Sequence, residues 1–139
     1  MPLEWTPALA TGNDTIDSQH KELFARVNAF AKTIAKGGQR SDTESIIAFM
    51  DDYAKFHFSE EEKLLAAHFY PDLAVHKAQH AYFIRNLGNI ERLYAAQGTS
   101  AELGDLLYRH VTSWLLAHVQ KADGVWAAWL RVHASPPSA

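Results

Sequence analysis

Residues 57–80 decide the fold, and they read HFSEEEKLLAAHFYPDLAVHKAQH. The stretch holds two pairs of candidate metal ligands, each pair four residues apart: His57 with Glu61, and His76 with His80. Residues four apart lie on one face of an α-helix, with Cβ atoms about 5–6 Å apart. Tyr70-Pro71 separates the two pairs, and proline ends or kinks a helix. The pattern predicts two helices that meet at a break and aim three imidazoles and one carboxylate at one point.

The composition is that of an ordinary globular protein. The chain has 139 residues, of which 47% are hydrophobic and 21% charged, so we expect one domain. The net charge is −3 and the 13 lysines and arginines are scattered, so we expect neither nucleic acid nor a membrane surface as a partner. The absence of cysteine excludes disulfides and thiolate metal sites. With neither a signal peptide nor a long apolar run in the sequence, we expect a cytoplasmic protein. We also expect a monomer. Its 8 histidines are the compositional anomaly.

Apolar residues at spacings of three and four predict four helices of about 20 residues each. The first is predicted to begin at Asp17 or Ser18 and to end at Gly37-Gly38. Capping boxes at 41–44 and 99–102 predict the starts of the second and fourth helices. The third helix is predicted to run from about Asp72 to Gly98. Because the connections are short, the sequence predicts an all-α, up-down-up-down antiparallel four-helix bundle.

The predicted bundle leaves short segments at both ends of a single domain, 1–139. Residues 1–16 are predicted to form an extended N-terminal arm that lays Trp5, Leu9 and Ile16 against the core. The bundle occupies 17–123 and a short C-terminal tail occupies 124–139. Within the tail, the apolar run Val125 to Val132 is a candidate short helix that docks on its own bundle. Ser135 to Ala139 is expected to be frayed.

Every predicted helix carries a candidate metal ligand on its apolar stripe. The inside of a bundle is dry, and an unpaired carboxylate there costs several kcal/mol unless it protonates or binds a cation. Five imidazoles and two carboxylates on the inner stripes therefore predict a dinuclear metal cluster with bridging carboxylates. The candidate ligands are His20, His57, Glu61, His76, His80, His118 and Asp123.

Two points about these candidate ligands do not follow from helical spacing alone. Asp123 lies five residues after His118, which on an α-helix is about 500° of rotation and 140° away from the starting face. Asp123 can therefore join His118 only if the helix is distorted or ends near Gly124, or if the centre of the cluster lies between the two side chains. Glu60 and Glu62 lie about 100° to either side of Glu61 and are expected to be solvated. The other three histidines are not expected to be ligands: His68, His110 and His133.

Four motifs give the chain a resemblance to a known family. They are residues 16–24 (IDSQHKELF), residues 57–61 (HFSEE), Tyr70-Pro71 followed by His76-x-x-x-His80, and residues 114–118 (WLLAH) leading to Asp123. With these motifs the chain resembles the hemerythrin family, and the bacterial hemerythrins in particular, from about Trp5 to Asp123. One departure is visible, because Leu64-Leu65 stands where the family often has a methionine. That change concerns core packing and not the ligands.

The resemblance implies a non-haem di-iron centre that binds O2 reversibly, for oxygen storage, delivery or sensing. The two irons (Fe2+/Fe3+) would share an oxo or hydroxo bridge and two bridging carboxylates, Glu61 and Asp123. One iron would be held by His76, His80 and His118. The other would be held by His20 and His57 and would keep an open position for O2. Candidate walls of the site are Leu23, Phe24, Trp114 and Leu115.

Two other classes of function are compatible with the helices. A di-iron enzyme, either an oxidase or a reductase of peroxide or nitric oxide, is the main alternative to a protein that only binds O2. The ferritin-like di-iron proteins carry Glu-x-x-His, but no histidine in this chain has a glutamate three residues before it. The other alternative is a metal-free helical interaction module. Besides O2, an oxygen-consuming or a signalling protein is a candidate partner.

Overall fold

The fold is a ring of four helices with a fifth, shorter helix at its end. The computed structural model describes residues 3–36, 40–98 and 100–133. Its elements are a 3-10 turn Pro7–Leu9, α1 Asp14–Ala35, α2 Arg40–Ala67, α3 Leu73–Gln97, α4 Ala101–Ala117, a π-helical turn His118–Ala122 and α5 Asp123–His133. Helices α1 and α3 each pack against both α2 and α4. This is the up-down-up-down four-helix bundle that the sequence predicts, and the described ranges contain no strand.

The core follows the apolar stripes, and one end of the bundle is polar instead. Side chains such as Val27, Met50, Leu87 and Leu107 are almost completely buried, one from each long helix. The candidate ligands lie on the same stripes, nearer the end at which α2 leads into α3. No helix in the described ranges is both long enough and apolar enough to cross a membrane.

The first helix begins three residues earlier than predicted. Asn13 is its N-cap, and the Asn13 side chain accepts a hydrogen bond from the backbone of Ile16. Asp17, which the sequence suggested as the cap, is buried inside the helix and accepts hydrogen bonds from the backbone and hydroxyl of Thr11. Because the Asp17 carboxylate is hydrogen-bonded to Thr11 of the arm, Asn13 caps the helix instead. The arm itself packs Trp5 and Leu9 against the core, as predicted.

Two other predicted helix starts are displaced. Helix α2 begins at Arg40, so Ser41 lies inside the helix and not at its cap. Helix α4 is capped by Ser100, whose side chain accepts a hydrogen bond from the backbone of Leu103. The predicted cap Thr99, the helix end at Gly37-Gly38 and the frayed end 135–139 lie outside the described residues.

The break between α2 and α3 is a compact C-terminal cap. The backbone N–H of Tyr70 donates to the carbonyl of Leu65, and that of Phe69 donates to Ala66. This is the Schellman pairing, which satisfies carbonyls at a helix end. Phe69 has the left-handed φ of 57° that the motif requires. Tyr70 and Leu65 are both buried in one cluster, so the turn is held by an apolar contact as well as by the backbone.

We expect Phe69→Gly to stabilise the protein by about 0.5–1 kcal/mol. A left-handed φ costs an L residue about 1–2 kcal/mol, whereas glycine adopts it freely, at an entropic cost of about 0.5–1 kcal/mol. The Phe69 side chain is 87% exposed, so its removal loses little packing. Phe69→Ala is the control, because it removes the ring but keeps Cβ and the strain. Urea unfolding measures the difference, and a glycine variant no more stable than the alanine variant would contradict this account.

The residues that follow the π-helical turn, up to His133, form a helix packed on the bundle. Helix α5 continues from the π-helical turn and buries Trp126 completely against Ile16, Leu65 and Tyr70. The candidate helix in the tail is therefore present, and it docks on its own bundle as predicted. This second cluster packs directly behind the polar end of the bundle, so α5 closes that end.

Candidate metal centre

The seven side chains singled out from the sequence converge at one point inside the bundle. All are buried, with at most 6% of any residue exposed. They form two groups of potential ligand atoms, within each of which all atoms lie within 4.8 Å of one another. The first group is Glu61, His76, His80 and His118, and the second is His20, His57, Glu61 and Asp123. Glu61 belongs to both groups.

The Glu61 carboxylate points one oxygen at each group. Its Oε2 lies 3.3 Å from His57 Nε2 and 3.6 Å from His20 Nε2. Its Oε1 lies 3.2 Å from His80 Nε2 and 3.9 Å from His118 Nε2, and it contacts His76 as well. A carboxylate whose oxygens face two separate sets of imidazoles has the geometry of a bridge between two cations.

Asp123 divides its oxygens in the same way. Its Oδ2 lies 3.1 Å from His20 Nε2, while its Oδ1 lies 3.2 Å from His76 Nε2 and 3.3 Å from His118 Nε2. Glu61 and Asp123 therefore each contact imidazoles of both groups.

The π-helical turn explains how Asp123 reaches His118. The backbone N–H of Asp123 donates to the carbonyl of His118, which is a bond across five residues. A π-helical turn closes after five residues and not four, so it places residues five apart close to one face. The spacing that conflicts with a regular α-helix is accommodated by one extra residue in the turn. π-helical turns are rare and are frequently found at functional sites.

Several buried polar atoms of the site have no hydrogen-bond partner in the described part of the chain, which is what is expected of atoms that bind cations. Glu61 Oε2, Asp123 Oδ2 and His20 Nδ1 are buried and have no hydrogen-bond partner among the described residues. Imidazole nitrogens also crowd together, with His20 and His57 Nε2 3.1 Å apart and His80 and His118 Nε2 3.0 Å apart. Nitrogen and carboxylate oxygen atoms arranged in this way are ligands for divalent transition metals. The residues therefore fit two metal ions bridged by two carboxylates.

The electrostatics of the site favour positive charge between the carboxylates. Burial lowers the pKa of His20 and His76, but Asp123 and Glu61 outweigh it and raise both to about 9. Burial would raise the pKa of Glu61, yet the surrounding imidazoles hold it well below its usual range. The pKa of Asp123 is held down in the same way by His118 and His20, against burial and the repulsion of Glu61. Protons and metal ions therefore compete for these positions.

Aromatic rings hold two imidazoles in place. The Phe58 ring stacks on His80 with a centroid distance of 3.9 Å and an interplanar angle of 6°. Trp114 stacks on His118 at 4.3 Å and 11°. The other predicted wall residues, Leu23, Phe24 and Leu115, are buried in the core. Sequence reasoning identified Trp114 but missed Phe58, although HF is part of the motif that carries His57.

Three partners of the candidate ligands were also missed. Gln19 Oε1 lies 2.7 Å from His57 Nδ1, and Glu62 Oε2 lies 2.7 Å from His80 Nδ1. The indole N–H of Trp126 donates to Asp123 Oδ1 at 2.9 Å. The prediction that Glu62 is simply solvated is wrong, because α3 brings His80 against it and leaves its side chain 25% exposed. None of the three predicted non-ligands, His68, His110 and His133, belongs to either ligand group.

Comparisons with known proteins agree on one family. Residues 11–130 match the family described as Hemerythrin HHE cation binding domain. Bacteriohemerythrin of Methylococcus capsulatus is 31% identical, covering 92% of this chain and 96% of its own length. Bacteriohemerythrin of Stenotrophomonas maltophilia is 31% identical, covering 94% and 83%. The crystal structure of wild-type hemerythrin superimposes with a TM-score of 0.79 at 28% identity, covering 92% of this chain and 97% of that one.

Proposed function

Since the chain belongs to the hemerythrin family, we propose that it binds O2 reversibly at a carboxylate-bridged, non-haem di-iron centre. The proposed ligands are the seven side chains that converge in the bundle. His76, His80 and His118 would hold one iron, and His20 and His57 would hold the other, leaving room there for O2. Glu61 and Asp123 would be shared by the two irons, which would also carry an oxo or hydroxo group.

One observation carries the proposal: each of the two carboxylates directs one oxygen at each imidazole group. For Glu61, Oε2 faces His57 and Oε1 faces His80, both within 3.3 Å. The imidazoles are unequally shared, three on one side and two on the other. The side with two imidazoles is therefore the side on which a coordination position is left for O2. When bound, an iron pair supplies reversible transfer of two electrons to O2.

The residues of the chain itself keep this centre dry. Leu23 and Phe24 follow His20 by three and four residues, so they lie beside it on the inner face of α1. Both are at most 2% exposed, as is Leu115, one turn before His118. Apolar walls of this kind exclude water and so suppress the side reactions that water permits. They also suit O2, which is small and uncharged.

For the location, oligomeric state and partner of the protein, the proposal keeps the expectations drawn from the sequence. We propose a cytoplasmic monomer that binds O2 without turning over a substrate, for storage, delivery or sensing. An oxygen-consuming or signalling protein is the proposed partner. The coexistence of imidazole and carboxylate ligands suits iron but also other metals, so the choice of iron rests on the family.

The function is tested by loading the protein with Fe(II) without oxygen and recording its optical spectrum. Addition of O2 should produce a visible absorption band, removal of O2 should abolish the band, and the cycle should repeat. Irreversible oxidation with consumption of an added reductant would instead support the alternative, a di-iron oxidase or reductase. Failure to take up a pair of irons would contradict both functions.

A further inference from the structure

The two imidazole groups differ in the hydrogen-bond partners of their Nδ1 atoms. His57 Nδ1 meets the neutral amide oxygen of Gln19, and His80 Nδ1 meets the carboxylate of Glu62, both at 2.7 Å. His20 Nδ1 is buried without a partner among the described residues. The one acidic group among these Nδ1 contacts is therefore on the side with three imidazoles.

A carboxylate and an amide affect a metal-bound imidazole differently. Either acceptor fixes the tautomer, leaving Nε2 free to bind a metal. A carboxylate also draws the Nδ1 proton toward itself and makes the ring a more basic donor. The carboxylate of Glu62 therefore adds negative charge to one side of the site, where a more highly charged metal ion gains most from it.

The orientation of His80 does not depend on Glu62 alone. Phe58 already covers one face of the His80 ring in a nearly parallel stack. Glu62 meets the edge of that ring from a groove of about 550 Å³ between α2 and α3, which also exposes Lys77 and Arg85. Since stacking holds the ring plane, the additional contribution of Glu62 is its charge.

We propose that the charge of Glu62, acting through His80, strengthens metal binding at the three-imidazole side and stabilises the oxidised metal there. This inference rests on the proposed function, because it concerns a residue that changes the metal affinity and the reduction potential of the same centre. It predicts an asymmetric pair, in which the iron held by three imidazoles is easier to oxidise than its neighbour with the open position.

The test separates charge from geometry with two variants and a control. Glu62→Gln keeps an acceptor oxygen but removes the charge, whereas Glu62→Leu removes both. Glu60→Gln, two residues earlier on the same helix, removes a charge that is not paired with a ligand. Circular dichroism of each metal-free variant checks that the helices are retained.

The first readout is the affinity for Co2+, which needs neither iron nor O2. We expect Glu62→Gln to weaken one of two Co2+ sites by about 10-fold, at the lower end of the effect of such outer partners, and Glu62→Leu to weaken it slightly more. The second readout is the reduction potential of the iron-loaded protein. A 10-fold loss of preference for the oxidised ion raises a one-electron potential by about 59 mV.

The outcomes distinguish this inference from the proposed function. Wild-type Co2+ affinity and potential in Glu62→Gln would overturn the role of charge, and so would a loss seen only in Glu62→Leu, which would leave Glu62 as a purely geometric support. If the wild-type protein bound two Co2+ but did not bind O2 reversibly, the proposed function would fail. The Co2+ affinities would still decide the role of Glu62.

Discussion

Replacing Glu61 with glutamine is expected to abolish paired metal binding while leaving the bundle folded. Glu61 is the residue shared by both ligand groups, and its two oxygens face different imidazoles. Loss of an outer partner costs about 10–100-fold in metal affinity, so loss of a shared ligand should cost at least about 100-fold at each position. Glutamine has nearly the same volume, so no cavity is created.

Thermal unfolding in the presence and absence of Co2+ measures this effect. At a free metal concentration about 100 times the Kd, one bound ion stabilises the fold by about 2.7 kcal/mol. A variant that binds 100-fold more weakly retains about 0.4 kcal/mol of this stabilisation at the same concentration. The control is Glu60→Gln, whose side chain is 37% exposed and pairs with Lys63. Metal-dependent stabilisation of wild-type size in Glu61→Gln would show that Glu61 is not a shared ligand.

Replacing Asp123 with asparagine is expected to weaken both metal ions, and the ion beside His20 and His57 more than the other. Asp123 Oδ1 faces His76 and His118, but that side keeps four other potential ligands, which are Glu61, His76, His80 and His118. On the other side Asp123 is one of only two carboxylates, beside His20 and His57. We therefore expect the Co2+ beside His20 and His57 to be weakened by at least about 10-fold more than the Co2+ beside His80 and His118.

This substitution leaves the surroundings of residue 123 in place. Asparagine can still accept the hydrogen bond from Trp126, which anchors α5. Asp105→Asn is the matched control, because Asp105 is exposed on α4 and pairs only with Arg109 among its ion pairs in the described residues. Calorimetric titration with Co2+ gives the stoichiometry. Wild-type affinity at both positions in Asp123→Asn would exclude Asp123 from the ligands, and equal weakening at both positions would contradict the expected difference between them.

The sequence was sufficient for the helices because their apolar spacing is regular. The stripe that ends in His57 and Glu61 predicts both a buried face and the position of the ligands on it. Helix starts were less predictable, because a cap depends on which side chain is free. Asp17 would have been a good cap, but Thr11 in the arm pairs with it, and Asn13 takes its place.

The parts of the site that sequence did not predict depend on contacts between helices. The π-helical turn needs one extra residue in a turn, and spacing alone showed only that a regular helix would not bring Asp123 to His118. The partners Gln19 and Glu62 lie on different helices from the imidazoles they contact, so no spacing within a helix reveals them. Trp126 is different, because it lies three residues after Asp123 in α5, and this i,i+3 spacing was a signal that the sequence offered.

The most direct test of the account is the amount of O2 taken up by the iron-loaded protein. The uptake is measured in solution together with the iron content, and the release is measured when the O2 is removed. Reversible binding at a di-iron centre predicts about one O2 for each pair of irons, released almost completely. O2 that is not released, or uptake of about one O2 for every four irons, as its full reduction to water requires, would contradict reversible binding.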